Sequence, residues 1–256
     1  PSSFPLGFRL MQSWRSVGLG LILLLAVAYS YRQGIAQRWY DLTTPDLPPA
    51  TELPVVRQSP LTPSSKALTS PTVPSPQLTD EKVSQSSLSA ELNLPVPFTS
   101  QAPHANWDPV HEEFCEEASL LMAKWYVDGL RQNPSADDAE TQLEGLKEWQ
   151  ISTLGFFEST TAAQTAKVAK DRLNLAVEVV APLPISAIKQ QLRQGKLIIV
   201  PAAGRLLGNP FFKQPGPIYH MLVIRGFTTD GRLITNDPGT RRGEGYLYQP
   251  EKIVSA

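Results

Sequence analysis

This chain is poor in the residues that most often announce a chemistry. Among 256 residues there are one cysteine, three histidines and 8% aromatics. A single cysteine, Cys115, cannot close an internal disulfide, and it excludes a metal site built on four sulfurs. Two roles remain for it, an apolar filler or a reactive thiol. The formal net charge of −1 excludes nucleic-acid binding by bulk attraction. His104 and His111, with Asp108, match no standard zinc spacing, so neither a metal nor any other cofactor is expected, and the two histidines are read as lining a cleft or the surface. No internal repeat is evident. The apolar run at 17–29 is short of the ~20 residues of a full membrane span.

What is present is unevenly distributed. Arg9 and Arg15 precede the apolar run, and Arg32 and Arg38 follow it. That is the pattern of a secretory signal or a minimal signal anchor, and Ala26-Val27-Ala28 resembles a small-residue cleavage site. Residues 1–40 are therefore read as a region that exports the chain. Anchoring is favoured over cleavage near Ala28, with the C-terminal domain outside the cytoplasm. Residues 41–92 are rich in Pro, Ser and Thr with few aromatics. Such a segment buries too little apolar area to offset its ordering entropy. The expectation is a disordered tether, on the order of 40 Å in root-mean-square span, holding the domain at 93–256 away from the bilayer. Export sharpens the question of Cys115, because an unpaired thiol in an oxidising compartment is at risk unless buried or useful.

Within the domain, residues 94–98 read as a short strand and 113–129 as a helix. Cys115, Ala118, Met122 and Trp125 share one face of that helix, and Gly129 stops it. A second helix is expected over 137–150, with Ala139, Leu143 and Leu146 inward. A third follows the cap Ser159-Thr160-Thr161, with Ala162, Ala166, Ala169 and Leu173 inward. Residues 176–180 read as a strand, and Pro184 opens a fourth helix that ends at Gly195. Strands are expected at 197–200, 220–227, 233–236 and 245–248, after a long loop at 201–219. Thr229-Asp230-Gly231-Arg232 is a hairpin signal. Helices first and an antiparallel sheet after them define an α+β domain.

The placement of Cys115 decides between its two roles. A helix N-terminus and a nearby imidazolium both favour the thiolate. Glu112, Glu113, Glu116 and Glu117 crowd the same point and oppose it, unless turned to solvent, where most are expected. His220 opens an apolar strand after the long loop, and Asp237 follows the next strand, across a hairpin from it. A carboxylate there would fix the imidazole tautomer; Asn236 is the competing orienter. Gln101 lies before the helix and carries an amide N–H suited to an oxyanion, alongside the Cys115 backbone N–H. Trp107, Phe211 and Phe212 sit on loops beside the expected cleft, as substrate contacts or as loop anchors. Arg225, Arg241 and Arg242 are read as surface arginines.

Three stretches together carry a resemblance. Val96-Pro97-Phe98-Thr99-Ser100-Gln101 leads to Phe114-Cys115-Glu116-Glu117-Ala118-Ser119-Leu120-Leu121-Met122. His220-Met221-Leu222-Val223-Ile224 and Asn236-Asp237-Pro238-Gly239 then follow. From Leu94 onward the chain resembles the bacteriocin-processing (double-glycine leader) peptidases and their stand-alone relatives, which are papain-like cysteine peptidases. The resemblance implies a papain-like fold, Cys115 as nucleophile, His220 as base, Asp237 as orienter and Gln101 in the oxyanion hole. Glu116 stands where relatives often carry a small residue, and the gap from Gln101 to Cys115 is longer. No transporter segment follows here, so chemistry and fold carry over, and leader cleavage does not. The expectation is a membrane-tethered, exported cysteine peptidase acting on a peptide or protein. A cell-wall peptide hydrolase, an acyl transferase sharing the acyl-enzyme, and an inactive peptide-binding module of the same fold are the alternatives.

Overall fold

The computed structural model describes residues 29, 31–53 and 90–256. The expectations for the apolar run at 17–28 and for the tether between 54 and 89 lie outside these residues. Among the described residues no helix is long and apolar enough to cross a membrane. Residues 31–43 form a helix, α1. Strand β1 (Leu92–Asn93) opens the domain, and a 3-10 turn (His111–Glu113) leads into α2 (Cys115–Asp128). Then come α3 (Ala136–Leu154), α4 (Ala162–Asp171), α5 (Ile185–Arg193), β2 (Ile198–Ala202) and the short α6 (Gly204–Leu207). Strands β3 (His220–Phe227), β4 (Leu233–Asn236) and β5 (Tyr246–Tyr248) precede the last helix, α7 (Pro250–Ser255). Helices stacked on one antiparallel sheet match the expected α+β class.

Strand β3 is the spine. All eight of its residues are buried. On one side it pairs with β2 and then β1, in the registers Ala202↔His220 and Leu92↔Phe227. On the other side it pairs with β4, which pairs with β5. Covered on both edges and by α2, β3 reads as a near-continuous apolar run, and each fully buried Leu, Val or Ile there is worth about 1.5–3 kcal/mol. The register shifts between Ile224 and Gly226, and a Cβ at Gly226 would meet the Leu92 carbonyl oxygen at 2.1 Å. Glycine is therefore required where β1 crosses.

Local chemistry explains most boundaries. Thr161 caps α4 in a capping box with Gln164, and Ser135 caps α3 through the Asp138 N–H. Gly129 and Gly155 end α2 and α3 in left-handed conformation, with φ of 90° and 87°. Three expectations fail. The strand expected at 94–98 is β1 at Leu92–Asn93, because Pro95 and Pro97 lack the N–H a ladder needs. Residues 176–180 form no strand; they alternate correctly but meet no free sheet edge, and Val179 and Val180 stay exposed. On α4 the buried stripe is Thr165, Val168 and Ala169, so Ala162, Ala166 and Leu173 lie at its margin.

Composition places the start of the tether at 41, yet residues 41–53 lie on the domain. Tyr40 stacks on Tyr246 at 4.5 Å and accepts a hydrogen bond from the Leu247 N–H. Gln33 and Gln37 donate to the carbonyls of Phe212 and Pro210 at 2.7 and 3.2 Å. Asp41 pairs with Arg242, and Glu52 with Arg131. The Thr51 N–H donates to the Asn93 carbonyl, and the Asn93 side chain donates to that of Pro48. Leu53 packs against the core, and the Glu91 carboxylate accepts from Thr229, so the described residues on either side of 54–89 are both on the domain. Cutting the chain at a protease site built between 54 and 89 should leave two pieces that co-elute in buffer and part in denaturant. Parting in buffer alone would show the docking to be too weak to matter. Tyr40→Ala should lower stability by about 2 kcal/mol in denaturant unfolding.

Candidate active site

The first turn of α2 and the first residues of β3 meet. Cys115 begins α2, as the sequence indicates, and its thiol lies within hydrogen-bonding reach of the Met221 backbone, one residue past His220. Phe114, the residue before the helix, offers no side-chain cap. Glu116 and Glu117 supply part of what is missing, each carboxylate accepting a backbone N–H of its own residue.

His220 and Asp237 form a buried pair. Nε2 of His220 is 2.8 Å from Oδ1 of Asp237, and both side chains are essentially sealed from solvent. Asp237 is held from every side. Its Oδ2 accepts from the Tyr248 hydroxyl at 2.6 Å and from the Asn209 amide at 3.0 Å, and its Oδ1 also accepts from the Gly239 N–H. Burial alone would raise its pKa; the His220 charge and these donors more than offset that and hold it below the usual carboxylate value. The imidazole is fixed by packing as well. The Phe212 ring meets it edge-on at 5.2 Å, and a Cβ at Gly239 would stand 2.8 Å from its Cε1. Phe212 is therefore an anchor of the histidine. Asn236, the rival orienter, is used elsewhere: its amide donates to the carbonyls of Val96 and Pro97 and accepts from the Gly245 N–H.

Gln101 joins the group through its backbone and through the turn before α2. Its N–H donates to the Pro238 carbonyl, next to Asp237, and its side-chain amide donates to the His111 carbonyl at 2.8 Å. Its Oε1 is buried with no hydrogen-bond partner among the described residues. His111, expected at the cleft or surface, is buried between carboxylates, with Nδ1 2.8 Å from Asp108 and Nε2 2.7 Å from Glu140. Burial opposes its charge, but the hydrogen bonds and charges of those two carboxylates prevail and raise its pKa above 6.5. His111, Glu140 and Glu144 have ligand atoms within 4.8 Å of one another, the spacing of a cation site. Both ring nitrogens of His111 already face carboxylates, so a cation there would have to displace one of them.

The glutamates overturn one expectation. Glu116 and Glu117 do not point to solvent; they are 1% and 0% exposed. The Cys115 thiol donates to Oε2 of Glu116 at 3.0 Å, and Oε1 of Glu116 accepts from the Thr160 N–H at 2.6 Å. The Tyr219 hydroxyl in turn donates to the Thr160 carbonyl. Glu117 accepts from the Gln150 amide and leaves its second oxygen without a partner. Burial pushes the thiol pKa well above its ordinary value, and the charge and hydrogen bond of Glu116 and the charge of Glu117 add to that. Burial likewise raises both carboxyls, Glu117 the more strongly. These effects all favour the protonated thiol at a residue that is 4% exposed. Glu116, Asn209 and Tyr248 are the site residues that sequence reasoning misses. A signal existed for the first: from Ala118 to Ala123 the helix has no polar stripe to which Glu116 could turn.

Other predicted contributors lie apart. Arg225 is buried, at the strand irregularity, and donates to the Val96 carbonyl, so it is a fold residue and not a surface arginine. Arg242 lies over the Phe211 ring and pairs with Asp41. A surface depression lined by Phe98, Thr99, Ser100, Pro134 and Arg241 borders the Gln101 loop, not Cys115.

Two outcomes follow from these electrostatics. Glu116→Gln removes a negative charge beside the sulfur, so the Cys115 thiolate should form at lower pH, with about tenfold more thiolate at a given pH below the midpoint. Ultraviolet thiolate absorbance, referenced to Cys115→Ser, reads this. The raised His111 pKa contributes stability that is fully present below pH 6.5 and lost as pH rises through its folded value. The melting temperature should fall across that range, and Glu140→Gln should flatten the fall.

Residues 93–254, well over half of the chain, match the model of the Peptidase_C39 like family. No curated protein and no solved structure matches the chain. The matched span runs from the β1 strand to α7 and includes the α2–β3 junction and the His220–Asp237 pair. The chain therefore belongs to the Peptidase_C39 like family, and this span is its peptidase-type domain.

Proposed function

We propose that the domain is a thiol peptidase in which Cys115 attacks an amide carbonyl, His220 moves the protons, Asp237 orients His220, and Gln101 helps to hold the oxyanion. The observation that carries this reading is the buried His220–Asp237 pair. Its carboxylate is fixed by Tyr248, Asn209 and Gly239, and the neighbouring Met221 backbone is at the thiol. With Nε2 committed to Asp237, Nδ1 is the nitrogen left for the sulfur.

In this mechanism the Sγ–H proton passes to Nδ1, and the sulfur adds to the carbonyl carbon. The oxygen collects the negative charge and is held by the Cys115 N–H and the Gln101 amide, a donor of a kind worth roughly 3 kcal/mol of barrier. The C–N bond breaks as the imidazolium protonates the leaving amine. Water then gives a proton to His220 and its oxygen to the thioester, releasing the acid and restoring the thiol. The resting thiol points at Glu116, so attack requires it to turn toward the imidazole and requires the covered sulfur to be opened.

The chain is further proposed to be exported and held at a membrane by its N-terminal segment, with a peptide or protein as substrate. The Cys115–Glu116 bond and the burial of the sulfur favour a second reading, a peptide-binding module without turnover. Hydrolysis of a peptide library and labelling by an electrophilic thiol probe separate the two. Cys115→Ala should abolish both, and His220→Ala should lower hydrolysis by about two to four orders of magnitude. Turnover unchanged in Cys115→Ala would end the peptidase reading; peptide binding without any wild-type turnover would establish the second.

A further inference from the structure

Helix α1 has its polarity inverted. A surface helix ordinarily turns an apolar stripe to the core and a polar face to water. Here the residues that meet the domain are Gln33, Gln37 and Tyr40, spaced for one face. On the opposite face Tyr31, Ile35, Trp39 and Leu42, also at helical spacing, are 67%, 59%, 68% and 83% exposed. At 3.6 residues per turn, Arg32 and Arg38 flank this apolar stripe, one on each side, and both are exposed. Four large apolar side chains in a row on one exposed face are costly to leave in water.

We propose that this face of α1 is a bilayer-docking surface, lying in the headgroup region of a membrane that carries anionic lipid. The side chains fit that occupant. Trp39 and Tyr31 are amphipathic rings of the kind that collect at the lipid–water boundary, and Ile35 and Leu42 reach the acyl layer. Arg32 and Arg38 flank the stripe where guanidinium groups meet phosphate, their stems lying along apolar surface. Sequence continuity supports the same occupant, because the apolar run at 17–29 directly precedes α1. The inner face of α1 grips the 210–212 loop and β5, so a helix in the interface brings the domain down onto the bilayer. The segment between 54 and 89 cannot act as the spacer, since the chain is on the domain both before and after it.

This inference rests on the proposed membrane attachment of the N-terminal segment, and the test separates the two. The full chain, in the Cys115→Ser background, is reconstituted in phosphatidylcholine vesicles with and without phosphatidylglycerol. A nitroxide is placed in turn at Leu24→Cys, Ile35→Cys, Trp39→Cys, Leu42→Cys and the exposed Lys170→Cys. Collision with oxygen reports lipid, and collision with a nickel chelate reports water. Labels at 35, 39 and 42 should shift from nickel to oxygen access relative to 170, more so with phosphatidylglycerol. Arg32→Gln with Arg38→Gln should remove that extra gain. Nickel access at 35, 39 and 42 equal to that at 170 overturns the docking surface, and it leaves attachment standing if 24 is in lipid. Nickel access at 35, 39 and 42 together with label 24 in water overturns both. Access to neither reagent at 35, 39 and 42 assigns the face to a protein partner, or to a second copy if the labels broaden one another, and overturns the lipid assignment. Far-ultraviolet dichroism of each labelled chain guards against misfolding, and because all three stripe positions are exposed, a misfolded one is replaced by either of the others.

Discussion

The start of α2 is wedged against the start of β3, and the rest of the domain is arranged around that contact. Strand β3 has no freedom to move: β2 and β1 hold one edge, β4 the other, and α2 covers a face. Register fixes His220 opposite Ala202 and places Asp237 just beyond Asn236, which pairs with Val223. A slip of one residue would turn His220 to the other face of the sheet and bury a different set of side chains. The imidazole therefore has its position set by about eight buried strand residues and not by its own loop. The turn that delivers Cys115 is held in parallel, because Gln101 ties the His111 carbonyl on one side and the Pro238 carbonyl on the other. One residue thus links the approach to the thiol, through its side chain, with the loop after the aspartate, through its backbone.

The same wedge buries two carboxylates beside the sulfur, and this shapes the chemistry more than the helix dipole does. A helix N-terminus favours a thiolate by a partial charge in the first turn. Burial of the sulfur opposes that charge, and the two glutamates under the same turn, themselves raised by burial, add to the opposition. Burial prevails, and the protonated thiol is favoured. Glu116 is no accident of packing: both of its oxygens are committed, one to the thiol and one to Thr160, and Thr160 is pinned by Tyr219 on the loop that ends at His220. Tyr219 directly precedes His220, so the anchor of Glu116 and the imidazole lie on one stretch of backbone.

Much of this was legible beforehand, and the failures have physical causes. Cys115 at a helix start, His220 at a strand start and Asp237 across the hairpin follow from periodicity and turn chemistry, both of which are local. The partners of the buried glutamates are not legible, because Thr160 and Gln150 lie 44 and 33 residues away in sequence. The sequence reads His111 as lining the cleft or the surface for the same reason; its partner Glu140 is on the next helix. The stretch at 94–98 has a strand's alternation, but two prolines remove the donors, and the side chains of Asn236 and Arg225 take over the task of holding it. Residues 31–53 are invisible as structure in the sequence, because their partners, from Asn93 to Leu247, lie 45 to 207 residues away in the bonds of Pro48 and Tyr40.

That last group changes what the N-terminal part of the chain does. The family match begins at 93, so α1 and the segment after it stand outside the region shared with relatives. A flexible tether would leave the domain free to tumble over a sphere set by its length. A helix docked through Gln33, Gln37 and Tyr40 removes that freedom and replaces reach with orientation. It also lies close to the chemistry: Gln33 holds the carbonyl of Phe212, and the Phe212 ring packs on His220. Tyr40 stacks on Tyr246, which packs against Tyr248, whose hydroxyl holds Asp237. Two short chains of contact therefore run from one helix to both members of the buried pair. The outer face of α1 is therefore linked, through Gln33 and Tyr40, to the packing that fixes the histidine and its carboxylate, so a load on that face would reach both.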